Sequence, residues 1–203
     1  SHDAMSSEPE GYAILCDVEM NASSYKARMD DYIQRNPHSA LVSHLRLRHA
    51  FNLFNAQDYQ GAAEYFAHVP TSHVGESLLD EYMFKKAYCE LETGDKERAH
   101  LQFEDLQSRP FSDYTAPAQY SLAYINYNKE DYVEALKWFE KAASDRRFAE
   151  ISSYYIMECR FLLKDYVYVT GNGEKVYEQV LDERKPFLAR ILSESFLVLG
   201  NAE

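Results

Sequence analysis

The chain has 203 residues, 46% hydrophobic and 27% charged, which allows one sizeable domain or two small ones with a packed core. A formal net charge of −12 argues against binding to nucleic acid, whose phosphates need clustered Lys and Arg, and leaves no basic face for anionic lipid. No apolar run approaches the roughly 20 residues that cross a bilayer, and the few prolines and glycines fall between apolar-periodic stretches, which favours helices.

Three cysteines, Cys16, Cys89 and Cys159, cannot close a set of disulfides and share no CxxC or Cys/His ligand spacing, so they read as free thiols, buried or partly buried. Low cysteine does not by itself fix the compartment. The opening Ser1-His2-Asp3-Ala4-Met5 has the look of a vector remnant. Residues 1–10 are therefore read as remnant and linker, and residues 11–203 as a single array cut from a longer polypeptide.

Taken in chain order, a pattern opens weakly at Ser24-Tyr25 with Arg28 and Tyr32, then becomes clear at Asp58-Tyr59 with Ala62 and Phe66. It returns at Asp95 with Ala99 and Phe103, and at Asp131-Tyr132 with Ala135 and Phe139. A last copy, Asp165-Tyr166, has Val169 in the Ala place and Gly173 in the Phe place. The places 24, 58, 95, 131 and 165 lie 34, 37, 36 and 34 residues apart, the period of paired-helix repeats. Eight residues before each stands Cys16, Ala50, Ala87, Ala123 or Met157; all but the last are small enough to let two helices approach closely.

Helical spacing of apolar residues on both sides of each turn predicts pairs at 40–56 and 59–69, 78–92 and 96–107, 116–128 and 132–143, and 149–163 and 166–181. Pro37, Pro70, Pro110 and Pro186 fall between pairs, while Pro117 sits in a first turn where its missing N–H is harmless. Ala62, Ala99 and Ala135 are expected where the helices of a pair cross. Gly171-Asn172-Gly173 reads as a weak spot within a helix or a break at its start. The fold class that follows is all-α, a right-handed superhelical stack of antiparallel helix hairpins, with about four complete pairs plus a partial terminal unit. From Pro186, Phe187 to Leu199 has the periodicity of another first helix, and Gly200-Asn201 then takes the place of a turn. The array is accordingly expected to continue, the last helix to show one bare side, and that side to be covered by a crystal neighbour or a weak dimer mate.

Enzyme chemistry finds little support. His44 with His49, and His68 with His73, put two imidazoles on different faces of a helix without a Cys or carboxylate to complete a metal site. No nucleophile elbow, HExxH, P-loop or GxGxxG is present, and Asp30-Asp31 beside Arg28 and Arg35 reads as a solvated charged face. No catalytic residue, metal or cofactor is therefore assigned.

The 17 tyrosines are the most unusual feature of the composition. In a superhelix the first helix of each hairpin forms the concave wall, and there stand Leu47, Phe51, Phe84, Tyr88, Tyr120, Tyr124, Tyr127, Tyr154 and Phe161, with Glu81, Glu92 and Glu158 at a negative edge. Aromatics of this kind also fill the space between stacked hairpins. The sharper reading is a groove that grips an extended peptide or a partner helix, to which tyrosine brings large area, low entropy cost and a polar tip.

A small residue, then Gly or a polar residue with Asp, an aromatic, and Ala-x-x-x-Phe make the chain resemble the tetratricopeptide repeat (TPR) family over nearly its whole length. Tyr32-Ile-Gln-Arg-Asn-Pro37-His-Ser39 resembles in particular bacterial cell-envelope TPR arrays, including outer-membrane assembly and cell-division coordinator lipoproteins. Tyr124-Ile-Asn-Tyr127 and Ser153-Tyr154-Tyr155-Ile156 fit the same arrays. The resemblance implies a non-catalytic scaffold for a protein or peptide partner, periplasmic or outer-membrane-associated, with the cytoplasm left open. The Lys and Asn pattern by which co-chaperone TPRs clamp a C-terminal carboxylate is missing, since its first-helix places hold Leu47, Phe51, Phe84, Tyr88, Tyr120 and Tyr124. Two other readings stay open: a structural spacer in a larger multi-repeat protein, and an accessory module binding glycan or peptidoglycan.

Overall fold

In the computed structural model, which describes residues 2–200 and the side chains of residues 8–200, helix follows helix and no strand occurs among the described residues. The helices are α1 (His2–Glu19), α2 (Tyr25–Arg35), α3 (Leu41–Asn55), α4 (Tyr59–Ala67), α5 (Glu76–Glu92) and α6 (Lys96–Gln107). They continue as α7 (Thr115–Asn128), α8 (Tyr132–Ala142), α9 (Ala149–Leu162), α10 (Tyr166–Gln179) and α11 (Lys185–Gly200). The expected pairs match α3 to α10 within two residues at either end. Residues 2–10, expected as remnant and linker, belong to α1, which carries Pro9 inside it. Asn201, expected in a turn, lies outside the described residues.

The chain divides into two compact units, residues 1–102 and 103–203, with the division inside α6. In the first, α1 packs on α2 and α3, α3 on α4, and α4 on α5. In the second, α7 packs on α8, α8 on α9, α9 on α10, and α11 on both α10 and α9. Neighbour-on-neighbour packing of antiparallel helices is the arrangement of a TPR-like α-solenoid.

One turn explains the repeat. Each first helix ends on a residue in the left-handed region: Asn21, Gln57, Gly94, Glu130 or Lys164, with φ between 49° and 99°. Two backbone bonds close each end: Asp58 N–H donates to the Leu53 carbonyl (2.9 Å) and Gln57 N–H to that of Phe54 (2.9 Å). The same two-bond pattern occurs at Ala22 and Asn21, Asp95 and Gly94, Asp131 and Glu130, and Asp165 and Lys164, and it satisfies carbonyls the helix leaves orphaned. The aspartate that follows then caps the next helix, accepting from the backbone N–H three residues on at 2.9 to 3.2 Å in all four units that have it. The Asp of the repeat is thus a hinge shared by two helices.

The first hairpin corrects the sequence register. Its left-handed residue, Asn21, is followed by Ala22, which has no side-chain acceptor, and the chain runs on to Ser24 before α2 begins without a side-chain cap. Counted by the left-handed residue, the places are 21, 57, 94, 130 and 164, and the first step is 36 rather than 34. Cys16 is accordingly exposed, not at a helix crossing, and Ile14 is the buried residue there. Ala50, Ala87, Ala123 and Met157 are buried as the pattern requires, and Ala62, Ala99 and Ala135 are each fully buried. Cys89 and Cys159 are buried free thiols, pushed up to about 12 mainly by desolvation, so neither is a reactive thiolate.

Gly171-Asn172-Gly173 lies within α10 and does not break it. Gly173 is buried, and a Cβ there would stand 2.0 Å from Cδ2 of Leu192 on α11. In the last unit the space that Phe66 fills in α4 is taken instead by a side chain from the following helix. On α11, Phe187, Phe196 and Leu197 remain well exposed.

Candidate functional site

The residues proposed for the wall fall in both units, and the two groups differ in chemistry. In the first unit Leu47 and Phe51 belong to the core with Phe66 and Tyr82, and both are buried. Phe84 and Tyr88 are half-buried, their rings 5.9 Å apart, and Tyr88 also meets Phe54 and Tyr59 edge-on at 5.7 and 5.4 Å. Burial first, then the neighbouring Glu92, raises the Tyr88 phenol to about 12. Glu92 itself is exposed.

The sequence reading missed the polar centre of this unit. Lys85, buried on α5, donates to Asn55 Oδ1 (3.2 Å), pairs with Glu81 (2.7 Å) and places its ammonium 4.5 Å from the centroid of Phe51 and 5.1 Å from that of Phe54. A pocket of about 390 Å³ opens beside it, lined by Glu19, Arg48, Phe51, Asn52, Asn55, Glu81 and Lys85. Arg48 pairs with Glu19 (3.3 Å) and Asn52 donates to the Val18 carbonyl (2.7 Å), so the charges here compensate one another internally. A signal existed: Arg48 and Lys85 each stand two residues before the small residue of their repeat.

In the second unit the proposed residues do come together. Tyr120 and Tyr124 of α7 lie parallel at 6.5 Å, and Tyr127, one turn on, meets Tyr132 at the start of α8 at 5.7 Å. Tyr155 of α9, absent from the proposed wall, is the hub of the cluster. It stacks on Phe139 (4.9 Å, 4° between planes) and meets Tyr127 at 5.2 Å, Tyr154 at 5.3 Å, Tyr124 at 6.2 Å and Tyr120 at 6.4 Å. The repeat did not point to it, because Tyr155 stands in the place of Lys85 and Ser121, where the other repeats carry no aromatic. Of these rings Tyr124 is the most open, 40% exposed. Phe161 meets Tyr166 at 5.8 Å near the far end of α9.

Glu158 stands one turn beyond Tyr154 and Tyr155 on α9, where the phenols of Tyr127 and Tyr154 favour its charged form. Burial raises its pKa, against the pull of those two hydroxyls and of the more distant Arg190. The same burial, with the Glu158 charge, raises Tyr127 and takes Tyr154 to about 12. Among the described residues no Lys or Arg forms an ion pair with Glu158: Arg160 is engaged by Glu140 and Asp165, Arg184 by Glu150, and Arg190 by Glu194. An aromatic surface with an acid at its edge can hold a partner by area, by phenol hydrogen bonds and by charge. Among the described residues no group of three or more His, Cys, Asp or Glu could hold a metal ion, and no helix is long and apolar enough to cross a membrane.

Comparison with curated proteins and with solved structures finds no match. A family model does match residues 78–143, from α5 to the end of α8 and about a third of the chain: over that stretch the protein is similar to the outer membrane lipoprotein family YfiO.

Proposed function

We propose that the chain is a non-catalytic protein-interaction scaffold of a bacterial envelope, periplasmic or associated with the outer membrane, which holds an extended segment or a helix of a partner on the tyrosine surface of its second unit. The observation that carries this reading is the Tyr120, Tyr124, Tyr127, Tyr154 and Tyr155 cluster, five phenols gathered from two helices around Tyr155 with one acid at their edge. Core packing alone gains little from phenols where Phe would do, whereas a recognition surface gains adaptable hydrogen bonds from them. The similarity of residues 78–143 to an outer membrane lipoprotein family supports the compartment. In the first unit Leu47 and Phe51 drop out of the proposed surface, since both are buried.

The test is site-specific photocrosslinking in envelope extract with a crosslinker at position 124, compared with Tyr155→Ala carrying the same crosslinker. One defined adduct on the first, lost on the second while helicity is unchanged, supports the scaffold. Crosslinking that Tyr155→Ala leaves untouched would make the cluster structural and favour a spacer; adducts to peptidoglycan fragments alone would move the reading to a glycan-binding module.

A further inference from the structure

Resting on that reading, we infer that the tyrosine surface of the second unit selects a partner segment by a cationic side chain, a Lys or Arg that docks against Tyr127 and Tyr154 and neutralises Glu158. Glu158 is a partly buried carboxylate on α9, one helical turn beyond Tyr154 and so on the same side of the helix as that ring. It has no ion-pair partner among the described residues, while Arg160, Arg184 and Arg190 around it are each committed to another acid. The repeat makes the point sharper. Position by position, Glu158 follows Phe51, Tyr88 and Tyr124, so an acid stands where three preceding repeats carry an aromatic.

Chemistry then narrows the occupant. An anionic group would meet Glu158 and a chain of net charge −12, and be repelled. A purely apolar side chain would strip more water from the carboxylate and leave it without compensation. A cation gains the carboxylate and, over the faces of tyrosine rings, the negative side of their quadrupole. Tyr127 and Tyr154 meet Tyr155 at 5.2 and 5.3 Å, so the three rings form one aromatic surface, and Glu158 follows Tyr154 on α9 by one helical turn. The carrier is a protein segment, because an isolated amine would leave the rest of the aromatic surface unused.

The experiment titrates the chain, its tyrosine rings isotopically labelled, with short peptides alternating Leu with Lys, with Glu or with norleucine, and follows ring resonances by NMR. The Lys peptide is expected to bind, to shift Tyr127, Tyr154 and Tyr155, and to weaken about tenfold on Glu158→Gln, the loss of one charge-assisted contact. Glu178→Gln, an exposed acid on α10, should leave binding as it was. Equal binding of the norleucine peptide, failure of the Lys peptide to bind, or Lys-peptide shifts that avoid those three rings each overturn the inference on the unaltered chain. Binding by N-acetyl-lysine amide as tight as by the peptide would show a free-amine site instead and also overturn it. If the photocrosslinked partner is lost on Tyr155→Ala yet kept on Glu158→Gln, the scaffold stands and the cation reading alone falls.

Discussion

Two first helices of the same repeat, α5 in the first unit and α9 in the second, carry opposite chemistry at corresponding places. Two residues before Ala87 stands Lys85 in one, and two before Met157 stands Tyr155 in the other. Lys85 is buried among rings and closed off by Glu81 and Asn55. Tyr155 organises an aromatic surface at whose edge Glu158 has no ion pair among the described residues. A turn built from backbone bonds and an Asp cap leaves the wall positions free to vary, so one scaffold carries a self-compensated polar pocket in one unit and an uncompensated acid in the other. Charge left unsatisfied inside a protein costs stability, and it persists where a partner supplies the missing half.

The sharpest test of that contrast is in the packing beneath it. Phe66→Ala should cost about 3 to 5 kcal/mol, because the ring is fully buried in the core and its removal leaves a cavity there. Gly173→Ala at the same repeat place in α10 should cost less, about 1 to 3 kcal/mol, since the added methyl meets the flexible end of Leu192. Chemical denaturation of both variants checks the order; a cheaper Phe66→Ala would mean the two units are not built alike.

Next come the two acids, where the signs should differ. Glu81→Gln removes the partner of buried Lys85 and should destabilise by about 1 to 3 kcal/mol. Glu158→Gln should leave stability at neutral pH unchanged or slightly higher, because the folded state holds the Glu158 pKa above its unfolded value. That group's contribution is fully present below the unfolded pKa of about 4.3 and is lost as pH rises through the higher folded pKa, so Glu158→Gln should flatten stability in that window. His49 works the other way. Buried, with the Tyr25 hydroxyl 2.7 Å from Nδ1, it has its pKa lowered by desolvation, so the unfolded chain takes up the proton first and stability falls as pH drops from about 6.5. Thermal melts from pH 8 to pH 4, with His49→Phe as the comparison, resolve the two.

The smallest effects belong to the shared turn. Asp58→Ala in the first unit and Asp131→Ala in the second each remove an N-cap and should cost about 1 kcal/mol. Glu130→Gly and Lys164→Gly relieve a left-handed residue and should gain up to about 1 kcal/mol, while Gly94→Ala should lose a similar amount. Shifts of equal sign at all three positions in a melting series would show that the left-handed turn is not the common element.

The helices, their pairing and the burial of Ala62, Ala99 and Ala135 were legible from the residues, because Asp caps, small crossing residues and 3.6-residue periodicity are local signals repeated four times. Where the local signal is missing, the spacing misleads: Ala22 cannot cap, so the sequence points to a first turn two residues late and to Cys16 at a crossing it does not occupy. What the sequence by itself determined is the all-α repeat, through backbone bonds at each turn that depend only on nearby residues. Only tertiary structure decided that Leu47 and Phe51 sink into the core, that Lys85 finds Phe51 and Asn55 across a helix interface, that Leu192 fills the gap above Gly173, and that Tyr155 gathers the rings of α7. Those outcomes turn on which side chains meet between helices far apart in sequence, and composition along one helix carries no record of the distance and angle at which the next one crosses it.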